Sequence, residues 1–168
     1  MFEEASQWFK TLQSEICDTI EEIELDAKMF SPTSKATAKK GWTQEHKVIY
    51  GDVFEKGTVN FSKINGEFDP KFASEIPGTE KHNRYSATGI SVVLHPWNPH
   101  APAMHFNTRY MKTSTKEWFG GGMDVTPCMR FDTESYHTTI QNICDYYNPE
   151  YYPKFSKACD EYFYLPHR

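Results

Sequence analysis

Residues Gly89 to Arg109 read GISVVLHPWNPHAPAMHFNTR, and the fold turns on how that stretch is built. The apolar run from Ile90 to Leu94 is short and rich in β-branched residues, which marks a strand. Pro96, Pro99 and Pro102 then bar a regular helix, because proline lacks the N–H that a helix interior uses and clashes with the preceding turn. The stretch therefore reads as a strand, a proline-stiffened turn and a returning strand. Shortly after it comes WFGGGMDVTP, Trp118 to Pro127, whose three consecutive glycines suit a bulge or a close approach by a flat ligand or another backbone.

Working outward, β-type segments are predicted at His46 to Phe54, Gly57 to Ile64, Tyr85 to Leu94, Met104 to Lys112 and Glu117 to Val125, with turn signals at Asn65-Gly66 and at Pro99 to Pro102. Their connections are too short for crossover helices, so an antiparallel meander follows. Ahead of them, Phe2, Ala5, Trp8, Phe9, Leu12, Ile16, Ile20 and Ile23 recur at helical spacing and predict an amphipathic helix. The segment from Phe30 to Glu45 loses periodicity and reads as a loop. Helical patterning returns at Thr133 to Tyr147 behind Asp132 as N-cap, and a last helix is expected from Pro153 to Tyr162. The pattern is α+β: a large, mainly antiparallel sheet flanked by helices on both faces.

Composition limits what such a chain can do. Its 168 residues suffice for one core, so a single domain is expected. A net charge of −5 argues against binding a nucleic-acid backbone, which needs a concentrated basic face. Cys17, Cys128, Cys144 and Cys159 are widely spaced, with no CxxC pair, and read as free thiols of a reducing compartment. The acidic, amphipathic start MFEEASQWFK lacks the basic flank and apolar run of a signal peptide, and no stretch reaches membrane-spanning length. A cytoplasmic protein is expected.

Three features carry candidate chemistry. His95, His100 and His105 are spaced five apart across the proline turn, close enough for a metal site, for acid/base work, or for plain turn capping and backbone hydrogen bonds. His105, Asn107 and Arg109 alternate, so on a strand they share one face, with Phe106 and Thr108 on the other. A guanidinium fork, an amide and an imidazole in one row suit an anionic substrate, although a solvent-facing polar strand would look the same. Asp124, two residues behind the triple glycine, reads either as an acceptor for ligand N–H groups or as a turn cap.

Four ordered blocks then carry a resemblance: GDVFEKGTVNFSKINGEF (Gly51 to Phe68), ATGISVVLHPWNPHAPAMHFNTRY (Ala87 to Tyr110), WFGGGMDVTP (Trp118 to Pro127) and YYPKFSKACDEYFYLPHR (Tyr151 to Arg168). Together they resemble the signature blocks of the oxygen-dependent coproporphyrinogen III oxidase family, over most of the chain from about residue 48 onward. The resemblance implies an enzyme of haem biosynthesis that oxidatively decarboxylates two propionates of coproporphyrinogen III to vinyl groups. It implies O2 as co-substrate, no organic cofactor, and a homodimer built on a large flat antiparallel sheet.

Carried over onto these positions, the resemblance makes His105 the proton donor and Ser91, Asn107, Thr108 and Arg109 substrate contacts. Asp124 becomes the carboxylate that faces the pyrrole N–H groups. It also places a divalent metal, in bacterial members, on the counterparts of His95, His105, His137 and His167. The family continues past the residues that match Arg168, so the expectation is an incomplete domain lacking its C-terminal part. Two alternatives accompany the oxidase reading: a truncated, non-catalytic protein that binds a tetrapyrrole or another subunit, and a histidine-rich metal protein.

Overall fold

The computed structural model describes residues 1–24, 31–33, 42–130 and 132–166. It divides into two compact units, Met1–Met129 and Arg130–Arg168. In the first, helix α1 (Phe2–Ile23) precedes strands β1 (Ser31–Thr33), β2 (Trp42–Ile49) and β3 (Phe54–Glu67), the short helix α2 (Pro70–Ala73), and strands β4 (Arg84–Pro96), β5 (Ala103–Lys112) and β6 (Glu117–Thr126). The six strands pair in chain order, β1 to β6, and every pairing is antiparallel. The class is α+β, and the meander is as the short connections predict.

Helix α1 follows its sequence pattern. Ala5, Phe9, Gln13, Cys17 and Ile20 form the buried stripe, and it packs on Val59, Phe61, Ile90, Val92 and Tyr110 from the sheet. Even-numbered residues of β4 and β5 thus face α1, and odd-numbered ones face the other way. Within the buried layer Gln13 Nε2 donates to the carbonyls of Glu45 (3.2 Å) and Val59 (2.9 Å), tying the helix to two strands. Tyr110 donates to a Glu117 carboxylate oxygen at 2.5 Å. Burial first, and then that carboxylate, push the phenol up to about 12.

The helix ends at Glu24, whose extended backbone turns the chain away. Its buried carboxylate accepts hydrogen bonds from the backbone N–H groups of Asp52 (2.7 Å), Val53 (3.0 Å) and Phe54 (3.0 Å). Three donors of the β2–β3 turn therefore depend on one side chain. Glu24→Gln turns one acceptor oxygen into an amide that points N–H at N–H, and is expected to cost about 2 kcal/mol. Urea denaturation reads this as a lower midpoint with unchanged slope; a change under about 0.5 kcal/mol, the usual size of a neutral surface substitution, would show that the clamp is dispensable.

Several expectations are corrected, among them the strand expected over His46 to Phe54, since β2 ends at Ile49 and β3 begins at Phe54. Asn65-Gly66 is not a turn: β3 runs on to Glu67, with Gly66 opposite Tyr85. A Cβ at Gly66 would stand 2.8 Å from the Tyr85 ring, so this glycine admits an aromatic neighbour and does not bend the chain. Within the expected loop, Trp42 to Glu45 are strand, paired with Phe61 to Ile64, and Ser31–Thr33 is strand too; residues 34–41 lie outside the described residues. Register with β3 organises a segment whose own sequence shows no alternation.

The second unit holds α3 (Glu134–Tyr147) and α4 (Tyr151–Phe163), and neither helix has a buried residue. Helix α4 begins two residues before Pro153, which sits inside the first turn, where a missing N–H costs nothing. The cap residue of α3 is Thr133, not Asp132, although the Asp132 carboxylate still accepts from the Glu134 N–H at 2.9 Å. The first helical donor is satisfied from one position further out.

Candidate active site

The face of the sheet opposite α1 gathers the sequence-predicted residues into rows across the strands. Val93 on β4, His105 on β5 and Asp124 on β6 stand in register; beside them come Asn60, Ser91, Asn107 and Gly122, and then Ser62, Gly89, Arg109 and Gly120. His105, Asn107 and Arg109 thus share one face, as their alternation predicts. Thr108 belongs by alternation to the side of α1, opposite Ile90 and Gly121.

Asp124 is not a turn cap; it lies within β6 directly across from His105. A carboxylate oxygen of Asp124 stands 3.1 Å from His105 Nδ1, and both side chains are partly buried. An imidazole whose Nδ1–H points at a carboxylate has its tautomer and ring plane fixed, and its Nε2 is left to exchange a proton with a bound group. Arg109 Nη2 donates to Asn107 Oδ1 at 3.4 Å, a long contact that steadies an otherwise exposed guanidinium. Ser91 is exposed between Asn60 and Asn107.

The glycines divide into two kinds. On β4, a Cβ at Gly89 would meet the Thr108 carbonyl oxygen at 2.4 Å and Arg109 Cα at 2.9 Å, so β5 packs against bare backbone there. Gly121 is similar, with the Asn107 carbonyl oxygen 2.3 Å from its would-be Cβ. Gly120 and Gly122 differ. A Cβ on Gly122 would meet nothing within 4 Å, and one on Gly120 only Trp118 Cδ1 at 3.9 Å. No packing within the described residues requires these two to be glycine. They form a strip of side-chain-free backbone beside Arg109 and Asn107, open to a flat molecule.

Among the histidines, the rings of His95 and His105 approach edge to face, with centroids 5.9 Å apart, as strands flanking one turn allow. His100 stands in the turn, its N–H held by Asn98 Oδ1 at 2.9 Å. His137 belongs to the second unit, where its Nδ1 pairs with Tyr152 Oη at 3.1 Å. His167 lies outside the described residues. No group of three or more His, Cys, Asp or Glu side chains placed to hold a metal ion occurs among the described residues. Nor is any of their helices long and apolar enough to cross a membrane.

Two residues on this face escape a reading of the sequence alone. His46 on β2 lies across from Asn60 on β3, with its Nδ1 2.8 Å from Asn60 Oδ1. Both line a concavity of about 410 Å³ that also takes in Ser91, Asn107 and Arg109. The only available signal was the polar residue at every second position of each strand, which does not reveal register between strands.

Comparison with known proteins places the chain in a family. A family model described as Coproporphyrinogen III oxidase matches residues 4–168. The oxygen-dependent coproporphyrinogen-III oxidase of Rickettsia akari (strain Hartford) is 46% identical over 174 residues, covering 97% of this chain and 61% of that protein. That of Rickettsia bellii (strain OSU 85-389) is 45% identical, covering 99% and 62%, and that of Rickettsia rickettsii (strain Sheila Smith) is 43% identical, covering 97% and 61%. The chain spans about three fifths of the length of these curated relatives.

Proposed function

Since the chain belongs to the coproporphyrinogen III oxidase family, we propose that the sheet face opposite α1 binds coproporphyrinogen III and oxidatively decarboxylates its propionates with O2, a step of haem biosynthesis. The observation that carries this is the Asp124–His105 pair set beside Arg109 and the bare backbone of Gly120 and Gly122. Such a face offers a cation for a carboxylate, a flat approach for a pyrrole ring, and a carboxylate and an imidazole at its edge.

Each propionate side chain, with one O2 and one proton, gives a vinyl group, CO2 and H2O2. The bond between the carboxyl carbon and its neighbour breaks, and its electron pair becomes part of the vinyl double bond. A hydrogen leaves the ring-side carbon with two electrons, which reduce O2. The substrate's own electron-rich pyrroles make it the reductant, so no organic cofactor enters. Arg109 holds a propionate through paired charge-assisted hydrogen bonds, with Ser91 and Asn107 as further contacts. Fixing the reacting chain in this way converts binding into orientation. Asp124 accepts pyrrole N–H groups and stabilises the positive charge that grows on the ring as electrons leave it. His105, aligned by Asp124, moves the proton through Nε2.

The same reading makes the chain part of a cytoplasmic homodimer that binds no nucleic acid; the family resemblance supports the homodimer, the widely spaced cysteines without a CxxC pair support a reducing compartment, and the net charge of −5 supports the last. The test is to mix the folded chain with coproporphyrinogen III prepared anaerobically, admit O2, and follow oxygen uptake together with the fluorescence of vinyl porphyrin after oxidation. Protoporphyrinogen IX is the expected product. Tetrapyrrole binding without any vinyl product would instead identify a binding protein, and the oxidase reading would fall.

A further inference from the structure

Beside Arg109 the substrate face carries a row of a different character. Trp42 on β2, Ile64 on β3, Ala87 on β4, Met111 on β5 and Trp118 on β6 stand in register across five strands. By alternation they share the face of Gly89, Arg109 and Gly120, one two-residue step away, or roughly 7 Å along the strands. Such a row is out of place on a sheet face turned away from the core, where side chains are ordinarily hydrophilic. Ile64, Ala87 and Met111 line the concavity of about 410 Å³ together with Arg109. Its floor is therefore apolar on one side of the guanidinium and polar, at Ser91 and Asn107, on the other. Trp42 is 40% exposed, and the other four are half-buried. Trp118 Cδ1 comes within 3.9 Å of the position a Cβ would take on Gly120, so the indole carries the apolar row onto the bare backbone of β6.

We propose that this row seats the carboxylate-free edge of the tetrapyrrole once propionates have become vinyl groups, while Arg109 keeps a propionate that remains. The seat rests on the reading of this face as the tetrapyrrole site and adds what that reading leaves open, namely how the ring stays bound through two decarboxylations that strip it of charge. Each step replaces a charged group on the rim by an apolar one. On a wholly polar face the ring would lose a contact every time. Beside the row the new vinyl group gains one, because apolar surface leaves water there. Trp42 and Trp118, at the two ends, offer broad contact for a flat edge. A second copy of this chain could also cover an apolar row, but that role does not require the row to run into the concavity that holds Arg109. A ring with propionates around its whole rim has no carboxylate-free edge, and draws on Arg109 far more than on the row.

The test is a fluorescence titration of the 168-residue chain with two porphyrins. Mesoporphyrin IX has its two propionates on one edge and only methyl and ethyl groups on the opposite edge; coproporphyrin III has four propionates around the ring. Met111→Gln keeps the length of the side chain but sets an amide under the apolar edge. It is expected to weaken mesoporphyrin IX about tenfold, the scale of a polar group buried without a partner, and to leave coproporphyrin III within about threefold of the parent. Ile64→Thr, which keeps a β-branched residue in β3, should show the same bias and covers the event that glutamine disturbs β5. Met111→Leu should keep parental affinity for both. Equal losses for the two porphyrins, or no loss for mesoporphyrin IX in either polar variant, overturns the seat. So does a fall in sedimenting mass of the polar variants at unchanged porphyrin preference, which would make the row a contact between copies. Arg109→Leu separates the two levels: it should weaken both porphyrins. If it weakens neither, or if the parent binds neither, the reading of the face itself fails and the seat falls with it. If Arg109→Leu weakens both and the polar variants of the row change nothing, only the seat is lost.

Discussion

Asp124→Asn is expected to lower the rate of vinyl formation about 100- to 1000-fold while leaving folding almost unchanged, the scale found when one preorganised group is removed from where charge develops. The substitution keeps the shape of the side chain and removes its negative charge. Two functions go together. On the proposed mechanism the ring loses the carboxylate that stabilises its positive charge as O2 takes electrons, and His105 Nδ1, now 3.1 Å from a carboxylate oxygen, faces an amide that can present either an acceptor or a donor. With a donor there, the imidazole is driven into the tautomer with its proton on the wrong nitrogen. Because Asp124 is partly solvated, the stability cost should stay within about 1 kcal/mol. Steady-state oxygen uptake beside a thermal melt separates the effects. A rate within about fivefold of the parent would remove Asp124 from the chemistry, since even a single general acid or base contributes more than that.

Gly89→Ala is expected to cost about 3 kcal/mol, at the upper end for an added methyl group, because what it strikes is backbone. Its Cβ would lie 2.4 Å from the Thr108 carbonyl oxygen and 2.9 Å from both Arg109 Cα and Arg109 Cβ. No rotamer change relieves such a contact; β5 must move away from β4. For a chain of this length that corresponds to a fall in Tm of roughly 10 °C. Tetrapyrrole affinity should fall as well, because the strand that moves carries His105, Asn107 and Arg109. Denaturant melts and porphyrin titration measure the two effects separately. Parental stability would mean that β4 and β5 are less tightly apposed than the structure has them.

How much of this was legible in the sequence differs from element to element. Strands β3 to β6 were plain because each carries alternation or a β-branched run, and the proline cluster at residues 96–102 could only be a turn. The row His105, Asn107, Arg109 followed from the two-residue period alone. The partnership of Asp124 with His105 was hidden, because it depends on the register set by the turn after β5, where the Thr113 N–H meets the Lys116 carbonyl at 2.8 Å. A slip of one residue would have sent Asp124 to the other face. His46 was hidden in the same way: it belongs to the site only through its pairing with Asn60 across β2 and β3. Asn65-Gly66 misled because its glycine serves Tyr85 on the neighbouring strand, a contact that no local rule reads. The triple glycine hinted correctly at a close approach. Only the structure divides it into Gly121, which β5 requires, and Gly120 and Gly122, which nothing among the described residues requires.

That division gives the most direct test of the central claim, that this face of the sheet holds the tetrapyrrole. Gly122→Leu places a side chain where no atom lies within 4 Å of the new Cβ, so folding should be unaffected to within about 0.5 kcal/mol. The same side chain would stand where the ring is proposed to lie against β6. The measurement is the affinity of Gly122→Leu for coproporphyrin III, by fluorescence titration, alongside its melting curve. A loss of tenfold or more at unchanged Tm is predicted, since even one misplaced group in a snug site costs about 1–3 kcal/mol. Parental affinity in the folded variant would contradict it and place the tetrapyrrole elsewhere.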